Sequence, residues 1–363
     1  MAIYFFLYFT LALSLLLYKN KNQERRIAYI FLIVFMILGI SRSLSVGTDN
    51  QVYSMNFNST TINPGTWSKY TEFEVGFNVL IVFFKNFISK DYYIFMSFLY
   101  VMWIIAYYRY TKIFGNGYLL SMFLSMGLLQ FFTPYNIMRQ YFALSLYSFV
   151  LPLLIKRRIW AYAIACVCVG FLFHRSVIVL AVVGILFIDK LNFIFSHKKV
   201  LITVVFLSYF LNFFSDMLLN FFNAYIGFFD LLGDRYSGYI SHAEFEDEKG
   251  SKLSALLDTI IACVAIYSLN EKNKFYKLSV IFLSCNVLIQ NILGPLFVIF
   301  LRIAINFGWM KAFVFSSIIN NNSKKYNLAI NCIIYLYCFI IFTKAVLKNY
   351  GDIVPYVERF YIF

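Results

Sequence analysis

The first stretch of the chain that could do chemistry is the polar passage from Arg42 to Phe57. It combines a cation at Arg42, a glycine at Gly47, a carboxylate at Asp49 and a phenol at Tyr53. Beside a guanidinium, the Asp49 carboxylate stays ionised, as a general base or an acceptor for substrate hydroxyl groups must. The plainer interpretation is that Asp49 caps the helical turn that follows it.

A second polar group opens an apolar segment at Asn136, Arg139 and Gln140. Spacings of three and four residues predict that these side chains share one helix face with Ala143. Placing an arginine at the bilayer centre costs about 2.5–3.5 kcal/mol of insertion free energy, and less toward the interface. An arginine in a membrane helix therefore normally faces a cavity, a partner or a ligand. Arg139 either extends to the outer headgroups or holds phosphate oxygens with its fork of donors.

Two more candidates stand near interruptions of apolar segments. His174 lies beside Arg175 and Ser176 at a corner, where it is either a capped structural residue or a proton-transfer group. Arg302 follows the break at 290–295. Broken membrane helices often line a cavity, and the alternative is a kinked helix whose arginine pairs internally.

The long polar segment 215–253 supplies the last group, Arg235, Tyr236 and Tyr239. These residues are either ordinary loop packing or a carbohydrate site. Carbohydrates bind to flat apolar faces with hydrogen-bonding edges, which tyrosine and arginine provide.

Composition decides which elements position these groups. Of the 363 residues, 61% are hydrophobic and 13% are charged, which is too much apolar surface for one soluble core. The net charge of +14 is spread in short clusters between apolar runs, which indicates membrane topology and excludes nucleic-acid binding.

The six cysteines lie inside apolar segments, and we expect no metal or disulfide role for them. The apolar segments are 3–18, 27–44, 74–88, 92–108, 117–133, 136–155, 159–173, 176–188, 200–214, 254–269, 278–292, 294–316 and 327–346.

Basic clusters in short loops predict the orientation, because such loops are cytoplasmic. All the basic clusters lie on the same side of the membrane only if segment 74–88 does not cross it. This segment then dips into the membrane and returns, or lies along the outer interface. We therefore predict an all-α polytopic protein, a single membrane domain over 1–363, with about twelve transmembrane helices and both termini outside. The outer face then carries the 41–73 loop with its Gly-Thr-Asp motif and the 215–253 loop, a candidate lid.

The order of these motifs resembles a known family. Arg42 with Val46-Gly47-Thr48-Asp49 and Tyr53 is followed by Glu74 with Gly76, Asn136-x-x-Arg139-Gln140, His174-x-Ser176, Arg235-Tyr236-x-x-Tyr239, Arg302 and Pro355-Tyr356. This order is similar to that of the EpsG-like, Wzy-type bacterial surface-polysaccharide (O-antigen) polymerases over nearly the whole chain. One departure is Val75, where we expect proline after the acid.

The resemblance implies an inverting, metal-independent GT-C-type glycosyltransferase of the bacterial inner membrane with no cofactor. It would transfer a growing glycan from undecaprenyl pyrophosphate to a new lipid-linked repeat unit on the periplasmic side. The expected partners are the undecaprenyl-pyrophosphate-linked oligosaccharide and membrane lipid, and a chain-length regulator and a flippase are candidates.

The resemblance also implies roles for the residues. Asp49 or His174 would deprotonate the acceptor, with Arg42 orienting Asp49. Arg139, Arg235 and Arg302 would bind pyrophosphate or glycan. The remaining binding candidates are Tyr53, Asn136, Gln140, Tyr236 and Tyr239.

Two rival functions remain open. A flippase for the same lipid-linked unit would use the arginines to guide a phosphate through the membrane, but the sequence has no two matching halves. A membrane acyltransferase could use His174, although few acids accompany it.

Overall fold

The computed structural model describes residues 1–67, 73–214, 252–268, 274–294, 298–321 and 327–359, together with Met217. All regular structure in these ranges is helical, which confirms the all-α prediction for them. The chain forms two compact units, Met1–Val182 with Phe315–Phe363, and Val183–Val314.

Sixteen α-helices are present among the described residues. In chain order they are α1 (Ala2–Leu17), α2 (Lys21–Ser41), α3 (Asn50–Ser59), α4 (Val75–Phe87), α5 (Tyr92–Phe114), α6 (Tyr118–Gly127), α7 (Met138–Ile155), α8 (Ile159–Leu172), α9 (Ile178–Ile188), α10 (Leu191–Ser196), α11 (Lys198–Leu211), α12 (Lys252–Tyr267), α13 (Lys274–Ile292), α14 (Val298–Gly308), α15 (Lys311–Asn321) and α16 (Asn327–Leu347). Short 3₁₀ turns cover Pro64–Thr66, Thr133–Tyr135, Arg175–Val177 and Asn212–Phe214.

Three helices among the described residues are long and apolar enough to cross a membrane. They are Met138–Ile155, Lys274–Ile292 and Leu328–Leu347, and the bent pair Phe300–Gly308 with Lys311–Asn320 makes a fourth if it counts as one span. Several other helices are apolar but shorter. The structure therefore supports a membrane protein, and the number of about twelve spans stays a prediction.

Helix α4 covers most of the segment predicted to re-enter the membrane or lie on its surface. Its 13 residues span about 20 Å, which is less than the roughly 30 Å of a bilayer core. The helix begins at Val75, the first helical position, where a proline would also fit. Re-entry and interfacial placement both stay predictions.

Lys85 of α4 has a structural use. Its Nζ donates to the carbonyl oxygens of Phe57, Asn58 and Thr60 at 3.0, 3.1 and 2.8 Å. These carbonyls lie at the end of α3, where a cation compensates unsatisfied acceptors and the negative pole of the helix. The lysine thus fastens α3 to α4.

The predicted apolar segment 117–133 is not one helix, because α6 ends at Gly127. Leu129 has a φ of 62°, and irregular backbone follows until α7 begins at Met138. Such backbone needs polar partners when it is buried. Helix α5 supplies them: Tyr100 Oη donates to the Phe131 carbonyl at 2.9 Å, and Trp103 Nε1 donates to the Gln130 carbonyl at 3.0 Å.

The segment after α16 returns to the end of α2. The Ser43 amide donates to the Val357 carbonyl at 2.9 Å, and the Arg359 amide donates to the Ser41 carbonyl at 2.7 Å. The Tyr356 hydroxyl donates to the Leu38 carbonyl at 2.7 Å. The C-terminal segment therefore covers the start of the polar passage that contains Arg42.

The second unit contains buried polar contacts between apolar helices. Lys311 Nζ lies 2.5 Å from the Asp258 carboxylate, and both side chains are largely buried. The Asn291 amide donates to the hydroxyls of Ser208 and Thr259, each at 2.9 Å. Such contacts join helices where no water competes.

Replacing Tyr100 by phenylalanine removes the donor to the Phe131 carbonyl and keeps the ring that packs against Gly39. We expect the free energy of unfolding to fall by about 1–3 kcal/mol, because a buried carbonyl loses its partner. Thermal unfolding of the purified protein in detergent measures the change as a lower midpoint. The control is Tyr29→Phe, which removes an exposed hydroxyl contact to Tyr108 and should leave the midpoint nearly unchanged. Equal midpoints for the Tyr100 variant and the wild type would contradict this account of the broken segment.

Candidate functional site

Arg42 lies just after α2, in extended backbone, and its side chain is fully buried. The guanidinium lies 4.3 Å from the ring centroid of Tyr135 and 5.6 Å from that of Tyr100. It donates to the Gly39 carbonyl at 2.9 Å and to the Met138 sulfur at 3.4 Å. These contacts favour an anchoring role, and the prediction that Arg42 binds substrate or orients Asp49 remains untested.

The Gly-Thr-Asp loop is held from two sides. Gly47 has a φ of 106°, which glycine adopts without steric cost, and its amide donates to the Asp352 carbonyl at 3.0 Å. The Thr48 amide donates to Asn136 Oδ1 at 3.1 Å. A side chain on Gly47 would collide with the Tyr135 carbonyl, so the close approach also requires glycine.

Asn136 therefore contacts both the Gly-Thr-Asp loop and the C-terminal segment at Gly351. It precedes α7, so the predicted helix face that joins Asn136 to Arg139 is wrong. The reason is that the chain leaves the 3₁₀ turn at Asn136 and starts α7 only at Met138. The Asn136 amide instead packs against Gly351, whose φ is 72°.

Asp49 is half-buried and is the residue before α3. Asp49 occupies the N-cap position of α3, as the plainer interpretation predicts, but its side chain makes no capping hydrogen bond to the helix. The Asp49 charge acts on the phenols of Tyr53 and Tyr92. The Thr48 hydroxyl donates to Asp49 Oδ1 at 3.5 Å, so the carboxylate is held within the loop.

Arg139 forms the central charged contact of the site. Its guanidinium makes an ion pair with the Glu74 carboxylate and lies 4.0 Å from the ring centroid of Phe73. The two charged side chains retain 19% and 12% exposure, so solvent reaches the pair. A cation in the first turn of α7 meets the positive pole of the helix, and Glu74 compensates for that.

Tyr53 completes this cluster from α3. Its ring is buried and lies 5.3 Å from that of Phe73. Burial raises the pKa of Tyr53, and the charge of Arg139 opposes that rise. The phenol therefore stays neutral at physiological pH and can donate a hydrogen bond.

The corner with His174 lies beside the same helices. Its neighbour Leu172 touches Gly76 of α4 so closely that a side chain on Gly76 would collide with it. Phe173 packs edge-on against Phe142 of α7 at 5.3 Å. His174 itself is half-buried, and its Nδ1 lies 2.7 Å from the Ser176 hydroxyl.

The remaining predicted site residues lie in three separate parts of the chain. Gln140 is buried, with 1% exposure. Arg302 is half-buried on α14 in the second unit. Arg235, Tyr236 and Tyr239, and most of the candidate lid 215–253, lie outside the described residues. In the part of the chain that is described, no three His, Cys, Asp or Glu side chains are grouped to hold a metal ion.

Glu74 is the residue that site prediction from the sequence missed. The sequence shows it in the motif order beside Gly76 and as an acid directly before an apolar helix, a position that also suits a helix N-terminus, but it assigns Glu74 no role in the site. Its partner Arg139 is 65 positions away, so only the tertiary fold reveals the pair.

The fold and this site define an all-helical, membrane-compatible protein with a charged and aromatic cluster where α2 ends and α7 begins. The profile of the EpsG family matches residues 26–357, which is nearly the whole chain. The chain belongs to the EpsG family, as its motif order indicated. No curated protein and no solved structure matches it. At a coarse level, the family is one of glycosyltransferase-like polymerases.

The packing of Asn136 against Gly351 gives a double-mutant test. Gly351→Ala should lower the free energy of unfolding by about 2–4 kcal/mol, because the methyl group collides with the Asn136 amide and the backbone has a positive φ. With Asn136→Ala present, only the backbone cost of about 1–2 kcal/mol should remain. Thermal unfolding of the wild type, the two single variants and the double variant measures the coupling free energy between positions 136 and 351. Additive effects of the two substitutions would contradict the contact between Asn136 and Gly351.

Proposed function

We propose that the protein is a surface-polysaccharide (O-antigen-type) polymerase. It transfers a growing glycan from undecaprenyl pyrophosphate to the non-reducing sugar of a new lipid-linked repeat unit. The observation that carries the proposal is the part-exposed ion pair of Arg139 and Glu74, next to Tyr53 and near the Asp49 loop. Membership of the EpsG family is consistent with a polymerase role.

Arg139 is the group that we assign to the donor pyrophosphate. Its Nε is buried without a hydrogen-bond partner among the described residues, whereas the side chain as a whole keeps 19% exposure. A planar guanidinium binds phosphate oxygens in pairs. The charge on the diphosphate grows as the bond to the sugar breaks, so this interaction is strongest in the transition state. Glu74 acts as a positioning residue that holds Arg139.

The acceptor hydroxyl needs a base. The acceptor oxygen attacks the anomeric carbon of the donor sugar, the bond from that carbon to the pyrophosphate oxygen breaks, and the proton passes to the base. Asp49 and His174 are the two candidates, since Asp49 and Arg139 both act on the phenol of Tyr53, and His174 follows Phe173, which packs on Phe142 of α7. Attack opposite the leaving group inverts the anomeric centre.

The membrane arrangement is part of the proposal. About twelve spans in a GT-C-like fold would place the Asp49 loop and the His174 corner on the periplasmic face of the inner membrane. From the sequence, segment 215–253 with Arg235, Tyr236 and Tyr239 stays the candidate lid, and Arg302 stays a candidate for binding pyrophosphate or glycan. Diphosphate departure with arginine assistance requires no divalent metal, and a flippase and a chain-length regulator would be the partners.

Replacing Arg139 by alanine should abolish polymer formation, with at least a roughly 100-fold loss of chain extension, since one lost transition-state donor has about that effect. The measurement is the glycan ladder of a deletion strain that carries the variant. Single units on lipid should remain and longer chains should be absent. The matched control is Arg26→Ala, an exposed arginine near the start of α2, which should give a normal ladder.

A charge swap separates chemistry from structure. In the variant Arg139→Glu with Glu74→Arg, the ion pair is kept while the guanidinium moves to another backbone. We expect normal protein levels and no ladder. A normal ladder from the swapped variant or from Arg139→Ala would overturn the assignment of Arg139 to the donor.

The second candidate function is a lipid-linked oligosaccharide flippase. The buried ion pair of Asp258 and Lys311 favours it, because charges inside membrane helices often mark a transport path. Such a pair can also serve only to join helices. A flippase and a polymerase differ in the side of the membrane on which lipid-linked units accumulate when the protein is lost.

A further inference from the structure

A cavity of about 740 Å³ lies in the first unit, at the end of α2 opposite Arg42. It is bounded by the last turn of α1, the first turn of α2 and the start of α6. The 21 residues of α2 separate this cavity from the Arg42 site by about 30 Å. The cavity is therefore distinct from the site assigned to glycan transfer.

Two cations line the cavity from one face of α2. Lys21 and Arg25 are four residues apart, so their side chains are neighbours, and like charges at this spacing repel each other. Neither forms an ion pair with any described residue. The Arg25 guanidinium lies over the ring of Tyr118, 5.3 Å from its centroid.

One carboxylate, that of Glu24, also lines the cavity, but no ion pair joins it to either cation in the part of the chain that the structure describes. Glu24 is buried, and its Oε1 accepts a hydrogen bond from the Leu119 amide at 3.1 Å, in the first turn of α6. A carboxylate there satisfies an unpaired amide and the positive pole of the helix. Glu24 thus compensates the N-terminus of α6, and with two cations against one carboxylate the cavity keeps a net positive charge that suits an anion.

Part of the remaining wall is polar, from Asn116, Asn320 and several tyrosines, and part is apolar and continues to the outer surface of the protein. Leu15, Leu16 and Leu120 line the cavity, and Leu16 is 81% exposed. In a membrane protein an exposed leucine at this position faces hydrocarbon. A ligand that fills both parts has a charged head beside Lys21 and Arg25 and an apolar tail along α1.

We propose that this cavity binds a phosphate group carried by a membrane lipid. Basic pockets between membrane helices on the cytoplasmic side take anionic headgroups in this way. The basic cluster at the start of α2 belongs to that side by the positive-inside rule. The phosphate bridges the two cations, and the acyl chain lies against the leucines.

The test uses the full-length protein in a neutral detergent and a fluorescent short-chain phosphatidylglycerol as the probe. Lys21→Ala with Arg25→Ala should weaken binding about 30-fold, from about 1 kcal/mol for each cation. The matched control is Lys19→Ala with Arg26→Ala, which removes the same charge from equally exposed positions that do not line the cavity. The control should bind the probe as the wild type does, and both double variants should keep the wild-type unfolding midpoint.

A third variant and two further probes identify the source of the phosphate. Leu15→Trp narrows the apolar part and leaves the charges unchanged. It should weaken binding of phosphatidylglycerol and leave competition by inorganic phosphate unaffected. Phosphatidylcholine should bind poorly, because its headgroup has no net charge.

Three outcomes would overturn the proposal. One is equal weakening by the two double variants, and another is equal affinity for the anionic and zwitterionic lipids. The third is tight binding of inorganic phosphate combined with no effect of Leu15→Trp, which would assign the cavity to a soluble anion. Should the alanine variant unfold, the binding measurement is repeated with Lys21 and Arg25 both replaced by glutamine, which removes the charges and keeps most of the side-chain bulk.

Discussion

The buried guanidinium of Arg42 is the constraint on which the first unit depends. A cation without water costs several kcal/mol, and among the described residues no carboxylate neutralises it. The faces of Tyr135 and Tyr100 and the Gly39 carbonyl compensate instead. These groups belong to the end of α2, to α5 and to the irregular stretch before α7. All three segments must therefore be in place before the charge is stabilised.

This packing also positions the groups that face solvent. The backbone around Arg42 pairs with the C-terminal segment, whose Asp352 carbonyl in turn holds the Gly47 amide. Arg139 follows Met138, the residue that contacts Arg42. Two arginines of one motif set thus have different roles. Arg42 is enclosed and builds the site, whereas Arg139 keeps some exposure and pairs with Glu74.

Part of this architecture could be predicted from the sequence. Helical apolar segments, the special glycine at Gly47 and the family resemblance follow from local pattern. The end of α6 at Gly127 could not be predicted, because no proline or polar run marks it and the donors that stabilise the break are Tyr100 and Trp103 of another helix. The position of Asn136 outside α7 and the pairing of Glu74 with Arg139 also depend on contacts distant in sequence. Such contacts leave no periodic signal along the chain.

The glycan profile of a deletion strain tests the central claim, that a charged site on the outer face extends a lipid-linked glycan. The measurement is the length and the membrane side of undecaprenyl-linked oligosaccharides, determined by enzymatic labelling of intact and opened cells. The account predicts that single repeat units accumulate on the periplasmic side and that long chains are absent. Accumulation of those units on the cytoplasmic side, or full-length chains in the deletion strain, would contradict it.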